Sequence, residues 1–221
     1  MQRRSDAARQ AVTKLNKQDM AENLQKIKEV NRRLGNPGDV INIAMNGRYN
    51  STTIASRKKP GQNTSQAIAI ACEMMTEKKY IIAAAIQNKL CWTVAWLRGK
   101  GMEVECPWGH PDCTANTYHQ APLSEYELGK AIGVQISVDG AYVRYITTDG
   151  DSRSAAGVAE TMRLLDPMLK VERQADPVHL GQAQFRQCYK AQFSERMFPT
   201  AKTREQRQSH QKVLRSDTAS F

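Results

Sequence analysis

The stretch CPWGHPDCTANTYH, residues 106–119, gathers two of the chain's five cysteines and two of its four histidines. Thiolate and imidazole are the ligands zinc takes, four at a time and in a tetrahedron. Cys106, His110, Cys113 and His119 are spaced so that they could close on one ion, with Pro107 and Pro111 bending the backbone between them. The spacing lacks two separated C-x2-C knuckles. The alternative is a loop in which Cys106 ends a buried strand and behaves as a small hydrophobe, while Trp108 anchors the loop by packing. A catalytic metal needs an open ligand position and a neighbouring base, and only Asp112 is at hand. The expectation is therefore no cofactor, or a structural zinc.

A second group, GRYNSTTIASRKKPGQNTS, suits a polyanion. Arg48 and Tyr49 leave a tight Asn46-Gly47 turn, and Arg57, Lys58 and Lys59 cluster before a Pro-Gly bend. Cations neutralise phosphates and release counterions, short hydroxyl and amide side chains bond phosphate and sugar, and a tyrosine face stacks a base. Further cations line the chain ends. Lys26, Lys28, Arg32 and Arg33 lie along a first helix, and Lys202, Arg204, Arg207, Lys212 and Arg215 populate the tail. A fourth group, Asp149-Gly150-Asp151 with Glu160, has the carboxylates to hold Mg²⁺ as a nuclease does, although ordinary turn and N-cap chemistry between a strand and a helix is the preferred account of it. No P-loop, GxSxG elbow or HExxH is present.

The elements that must position these groups follow from periodicity and punctuation. Residues 5–34 read as a helix stopped by Gly35-Asn36-Pro37-Gly38. Val40–Ile43 and Thr52–Ile54 read as strands of a hairpin turning at Asn46-Gly47. Residues 65–77 and 80–98 read as helices, the second apolar nearly all round and hence central, and MEVEC as a short strand. Ser124 and Glu127 form a capping box that opens a short helix. A second hairpin turns at Asp139-Gly140, between Ile136/Val138 and Val143/Tyr145, and a helix covers roughly 154–165. A further helix is expected around 180–196, followed by a polar basic tail.

The stretch VDGAYVRYITTDGDSRSAAGVAETMRLL is similar to the back half of a double-stranded-RNA-binding domain. There a hairpin runs into a helix whose start carries Ser and basic residues. Ser152 and Arg153 match that start, whereas Ser154 and Ala155 stand where charged residues are usual. The resemblance covers this stretch alone and implies contact with an RNA duplex.

Together these readings give an α+β fold: two β-hairpin–helix units around a buried central helix, with a basic N-terminal helix and a C-terminal tail. The boundaries are 1–35 for the basic helix or arm, 36–170 for the core and 171–221 for the extension. Residues 1–62 hold 13 Lys/Arg against 5 Asp/Glu, residues 63–170 hold 10 against 12, and residues 171–221 hold 9 against 5. Positive charge concentrated at both ends favours a polyanionic partner over a uniformly soluble surface. An odd cysteine count, widely spread, fits a reducing cytoplasmic compartment, and neither a secretory signal nor a membrane span is evident.

The leading functional expectation is a non-enzymatic protein that coats, anneals or packages RNA or DNA with low sequence specificity. It would grip phosphate through Arg32, Arg33, Arg48, Tyr49, Arg57, Lys58, Lys59, Lys202, Arg204 and Arg207, and homo-oligomers are possible. The alternatives are a structural component of a virion and a metal-dependent enzyme acting on nucleic acid.

Overall fold

In a computed structural model of the chain, residues 2–50, 65–111, 113–149, 152–190 and 203–217 are described. The chain divides into two compact units, Met1–Gln174 and Ala175–Phe221.

The first unit is built on a five-stranded mixed sheet. Its strands are β1 (Val40–Asn50), β2 (Gln66–Glu73), β3 (Ile81–Asn88), β4 (Tyr142–Thr148) and β5 (Glu172–Ala175), in the order β3-β2-β1-β4-β5. β1 pairs antiparallel with β2 and β2 with β3, whereas β1 and β4 run parallel. Six helices stand among the described residues: α1 (Gln2–Arg33), α2 (Trp92–Gly99), α3 (Glu125–Val138), α4 (Arg153–Leu165), α5 (Pro177–Lys190) and α6 (Arg204–Asp217). The fold is mixed α/β, as expected, but the hairpin–helix units are not how it is assembled.

The residues explain each departure. QAIAIACE alternates strictly, burying Ala67, Ala69, Ala71 and Glu73, so it is a strand and not the expected helix. Ala and Ile fit either period, and pairing to β1 and β3 decides the outcome. The expected helix at 80–98 splits at Lys89–Cys91 into β3 and α2, and only Val94 of α2 is buried. Asn46 and Gly47 make no turn, because the ladder runs straight through them, Asn46 opposite Ile70 and Gly47 opposite Ala69. Residues 102–105 form no strand among the described residues. Residues 134–138 finish α3, and Gly140, at φ +70, serves the exit from that helix. The hairpin on which the likeness to an RNA-binding domain rested therefore does not form.

Other expectations hold. α1 ends at Arg33, ahead of Gly35 at φ +77, and α4 covers the expected span. Ser124 Oγ accepts from the Glu127 N–H at 3.3 Å and caps α3. The tail, read as little more than polar, holds α6, opened by Thr203 and Gln206 bonding each other's backbone N–H at 3.2 Å.

One apolar cluster joins Leu24 and Ile27 of α1, Leu128, Ile132 and Ile136 of α3, and Val158 and Met162 of α4 to the inward residues of β1–β4. Burying each such side chain contributes about 1.5–3 kcal/mol. α1 is tied down by Lys28, which is buried and donates to the Asp139 carbonyl at 2.9 Å, and by Asn31, which donates to the Val40 carbonyl at 2.7 Å. Lys28 thus leaves the set of cations read as facing a partner. Glu73, fully buried, closes the β2–β3 connection by accepting from the N–H groups of Met75, Thr76 and Tyr80 at 2.6, 2.9 and 3.1 Å.

Candidate functional site

The junction of β3 and α2 places Cys91 against the loop that follows α2. There the ligand atoms of Cys91, Cys106, His110 and Cys113 all lie within 4.8 Å of one another. Cys91 Sγ is 3.3 Å from His110 Nε2, and Cys106 Sγ is 3.7 Å from Cys113 Sγ. Around zinc, with Zn–S about 2.3 Å and Zn–N about 2.0–2.1 Å, tetrahedral edges are about 3.8 Å between sulfurs and about 3.5 Å between sulfur and nitrogen. The two spans match those edges, and a disulfide at about 2.05 Å is far shorter. His110 Nδ1–H donates to the Pro111 carbonyl at 2.8 Å, which leaves the Nε2 lone pair aimed into the group. The Trp108 N–H donates to Cys113 Sγ at 3.4 Å. Three thiols and an imidazole so arranged could bind a metal such as zinc.

The thiols differ in acidity. Burial pushes Cys91 up, but backbone hydrogen bonding at Val94 and Thr114, the Thr114 hydroxyl and the Cys113 thiol outweigh it and bring Cys91 down to about 6. Burial, then Cys113 and Cys91, hold Cys106 up at about 12. A bound cation reverses the second effect, because a coordinated thiol is deprotonated outright.

Asn88, the last residue of β3, holds the two halves of this site together. Its Nδ2 donates to the carbonyls of Leu90 at 3.0 Å and Thr114 at 2.7 Å, and its Oδ1 accepts from the Leu90 N–H at 3.0 Å. Its main chain accepts from Asn116 at 2.9 Å and Thr117 at 3.2 Å, and its N–H donates to Asn116 Oδ1 at 2.7 Å. Asn116 Nδ2 reaches back to the Ile86 carbonyl at 2.7 Å. An amide chain continues into the sheet, from Asn88 Oδ1 to Gln66 at 3.0 Å and on to Asn50 at 3.1 Å.

Cys106, His110 and Cys113 are thus brought together, and the fourth position belongs to Cys91, not His119. His119 is exposed and lines a cavity with Tyr49, Lys89 and Leu123. Cys91 carries no local signal; only the β3–α2 junction delivers it. Arg48 and Tyr49 line a neighbouring cavity with Asn50, Gln66, Ile68 and Ile86. Arg32 and Arg33 are exposed at the end of α1, Arg33 paired with Glu29, and Arg204 and Arg207 lie in the second unit on α6. Arg57, Lys58, Lys59 and Lys202 fall outside the described residues, as do Asp112 and Asp151. Glu160 pairs with Lys130 at 3.6 Å.

The parallel pair forms a second place of interest, because β4 ends at Thr148, opposite Met45 in the middle of β1, and β1 runs on to Asn50. A small enclosed cavity there is lined by Met45, Gly47, Ala69, Glu125, Leu128, Asp149 and Ser154. Asp149 follows the last residue of β4, and Glu125 is the first of α3, so two carboxylates from separate elements share its walls. The carboxyl ends of parallel strands are where open α/β sheets bind ligands.

Among the described residues, no helix is long and apolar enough to cross a membrane. The family model for Mutator-like transposases matches residues 1–220. No curated protein matches the sequence. A solved structure, the Drosophila P element transposase strand transfer complex, aligns with 69% of this chain at 9% identity and a TM-score of 0.33, a likeness from which nothing about this chain follows. The aligned part is 30% of that chain's length.

Proposed function

Since the chain belongs to the Mutator-like transposase family, we propose that it is a DNA-acting enzyme of transposition, which breaks and transfers phosphodiester bonds. The observation that carries this is the family match over nearly the whole chain. It overturns the expectation of a non-enzymatic coating or packaging protein, and it lends no support to a virion component.

The cavity beyond the end of β4, beside the middle of β1, suits the chemistry. Phosphoryl transfer on DNA proceeds by in-line attack of an oxygen on phosphorus, with the 3′ or 5′ oxygen of the old bond leaving. Divalent ions supply charge neutralisation for both oxygens when bound. Asp149 and Glu125 present carboxylate oxygens of the kind hard cations take, held from a strand end and a helix start. Each α3 and α4 residue around them is fixed by the close contact of those two helices. Arg48 and Tyr49 serve as a phosphate grip, and the basic sequence cluster Arg57, Lys58 and Lys59 adds cations for the same partner. The basic segment 1–35 and the extension 171–221, with Arg32, Arg33, Lys202, Arg204 and Arg207, add contacts that do not depend on sequence.

The Cys91, Cys106, His110 and Cys113 group holds a structural zinc. All four positions are protein ligands, leaving none open for substrate. Its task is to fasten α2 and the 106–113 loop to the end of β3.

Incubating the protein with labelled transposon-like DNA ends in Mg²⁺ or Mn²⁺ tests the enzymatic reading. Nicked or joined products are expected, with Asp149→Asn and Glu125→Gln each lowering their yield at least about 100-fold while DNA binding persists. Full activity in both variants would remove these carboxylates from the mechanism. Failure of the unaltered protein to cut or join any end would remove the enzymatic reading.

A further inference from the structure

The cavity lined by His119 adjoins that of Glu125 and Asp149 along one face of the sheet. Gly47 and Ala69 stand opposite each other on β1 and β2 and line the carboxylate cavity. The next pair on that face is Tyr49 with Ala67, and Tyr49 lines the second cavity, about 6.8 Å along β1 from Gly47. The chain entering α3 repeats the step, with Leu123 lining the second cavity and Glu125 the first. Tyr49 and Leu123 both pack against the core cluster that holds Leu128 of α3, so they share its side of the sheet.

The second cavity, of about 710 Å³, has the size of a site for a small organic group, about 300–1,000 Å³. Its lining mixes charge with apolar surface. Lys89 is half-buried and makes no ion pair among the described residues, and no acid among them lines the cavity. The acids nearest in sequence to residues 119–123, Glu125 and Glu127, lie in the first turn of α3, and Glu125 lines the neighbouring cavity instead. His119 and Gln120 add an imidazole and an amide, while Tyr49 and residues 121–123 add a ring and an apolar wall. A half-buried ammonium without a carboxylate calls for an anion from outside. The ring and the apolar wall call for a flat group attached to that anion. A nucleotide has both parts, whereas an inorganic anion leaves the ring and the wall uncovered.

We propose that this cavity is a nucleotide subsite: it holds the nucleotide next to the phosphate that Glu125 and Asp149 face, with the base against Tyr49 and the far phosphate on Lys89. The proposal rests on the DNA-acting reading and deepens it by naming the part of the DNA held there. One nucleotide of an extended strand spans the step from Gly47 to Tyr49. Stacking on tyrosine accepts any base, because every base has a π-face, so the subsite fixes position along the strand and not sequence. Lys89 reaches it from the end of β3, directly after Asn88, whose bonds to Asn116 tie β3 to the chain that leads to His119.

The experiment first maps the phosphate that the unaltered protein cuts in labelled transposon-like DNA ends. It then replaces one nucleotide at a time around that phosphate with an abasic unit and measures Kd without divalent cation, so that nothing is cut. An abasic unit beside the cut phosphate is expected to weaken binding about tenfold, the size of one lost base–aromatic stack, and abasic units farther along should not. Tyr49→Ala should weaken binding of intact DNA equally and add nothing to the abasic loss, whereas Tyr49→Phe keeps the values of the unaltered protein. Lys89→Gln should flatten the slope of log affinity against log salt by about 0.9, and Lys89→Arg should restore it. Losses from Tyr49→Ala and the abasic unit that multiply, or an unchanged slope in Lys89→Gln, overturn the subsite in a protein that still cuts DNA. A lowered melting temperature of Tyr49→Ala with unchanged affinity means that the protein's own chain fills the cavity, and the proposal falls. If the unaltered protein cuts no end, the DNA-acting reading is lost and the subsite with it.

Discussion

Asn88 and Cys91 lie three residues apart with different places in the proposed zinc site, Asn88 bonding the segments that flank it and Cys91 offering a thiol to it. Removing Cys91 takes away one of the four groups proposed to hold zinc, whereas removing Asn88 takes the Nδ2 donor from the Thr114 carbonyl and leaves the Leu90 carbonyl with the Thr114 hydroxyl alone among its side-chain donors. Because metal binding to a site that exists only in the folded state adds to folding free energy, both changes register in stability. Cys91→Ser is expected to abolish bound zinc by elemental analysis and to lower the melting temperature. Asn88→Ala should retain zinc at 10–100-fold weaker affinity, the usual cost of losing an outer-shell partner. His119→Ala should change neither quantity. Loss of zinc in His119→Ala with retention in Cys91→Ser would reverse the ligand assignment. Three of the four residues that cluster were legible in the sequence because they sit in one short loop. The fourth was not, because Cys91 lies outside that loop, inside the stretch 80–98 that reads as a single helix.

At the level of elements, α3 and α4 approach so closely that their backbones touch. A Cβ on Gly129 would lie 2.1 Å from the Ser154 carbonyl oxygen, and one on Gly157 would lie 2.1 Å from that of Tyr126. Gly133 is similarly confined by Thr161. Such separations are impossible, so any side chain forces the helices apart. Gly157→Ala is expected to destabilise the protein by about 1–3 kcal/mol in denaturant unfolding, the cost of overpacking. It should also depress DNA cleavage, because Glu125 and Ser154 of the cavity ride on these two helices. Gly181→Ala, on α5 with nothing within 4 Å of its Cβ, should be neutral or stabilising, since Ala favours helix over Gly by about 1 kcal/mol. Equal losses from the two substitutions would mean that the Gly157 effect is not one of helix contact.

For the molecule as a whole, the charge of +10 is concentrated toward the chain ends. That distribution predicts DNA affinity that falls steeply with salt, each neutralised phosphate contributing about −0.9 to the slope of log affinity against log salt on duplex DNA. Replacing Arg57, Lys58 and Lys59 together with Ala should flatten the slope by about 2.7 if all three meet phosphate. An unchanged slope would show that the 57–59 segment does not touch the backbone. The reading of the partner as nucleic acid came from this charge distribution; the reading of the role as mere coating went wrong because charge reports affinity for a polyanion and is silent about chemistry performed on it.

By itself the sequence determined the features written in adjacent residues: the end of α1 ahead of Gly35 and Pro37, the Ser124–Glu127 cap, the span of α4, a ligand-rich loop at 106–113 and the basic ends. Each depends on side chains bonding or blocking the backbone within one turn. Tertiary structure alone decided the rest. QAIAIACE has small and branched apolar residues compatible with two periods, and it became a strand because β1 and β3 offered hydrogen-bond partners on both sides. Asn46-Gly47 has strong turn chemistry, yet it stayed extended because β2 pairs across it. The parallel pairing of β1 with β4 places Met45 beside Thr148, and so Glu125 with Asp149 around one cavity. Cys91 joins the cluster with Cys106, His110 and Cys113 only because β3 ends where the loop after α2 folds back. These outcomes depend on contacts between residues far apart in the chain, whose free energy no local pattern encodes.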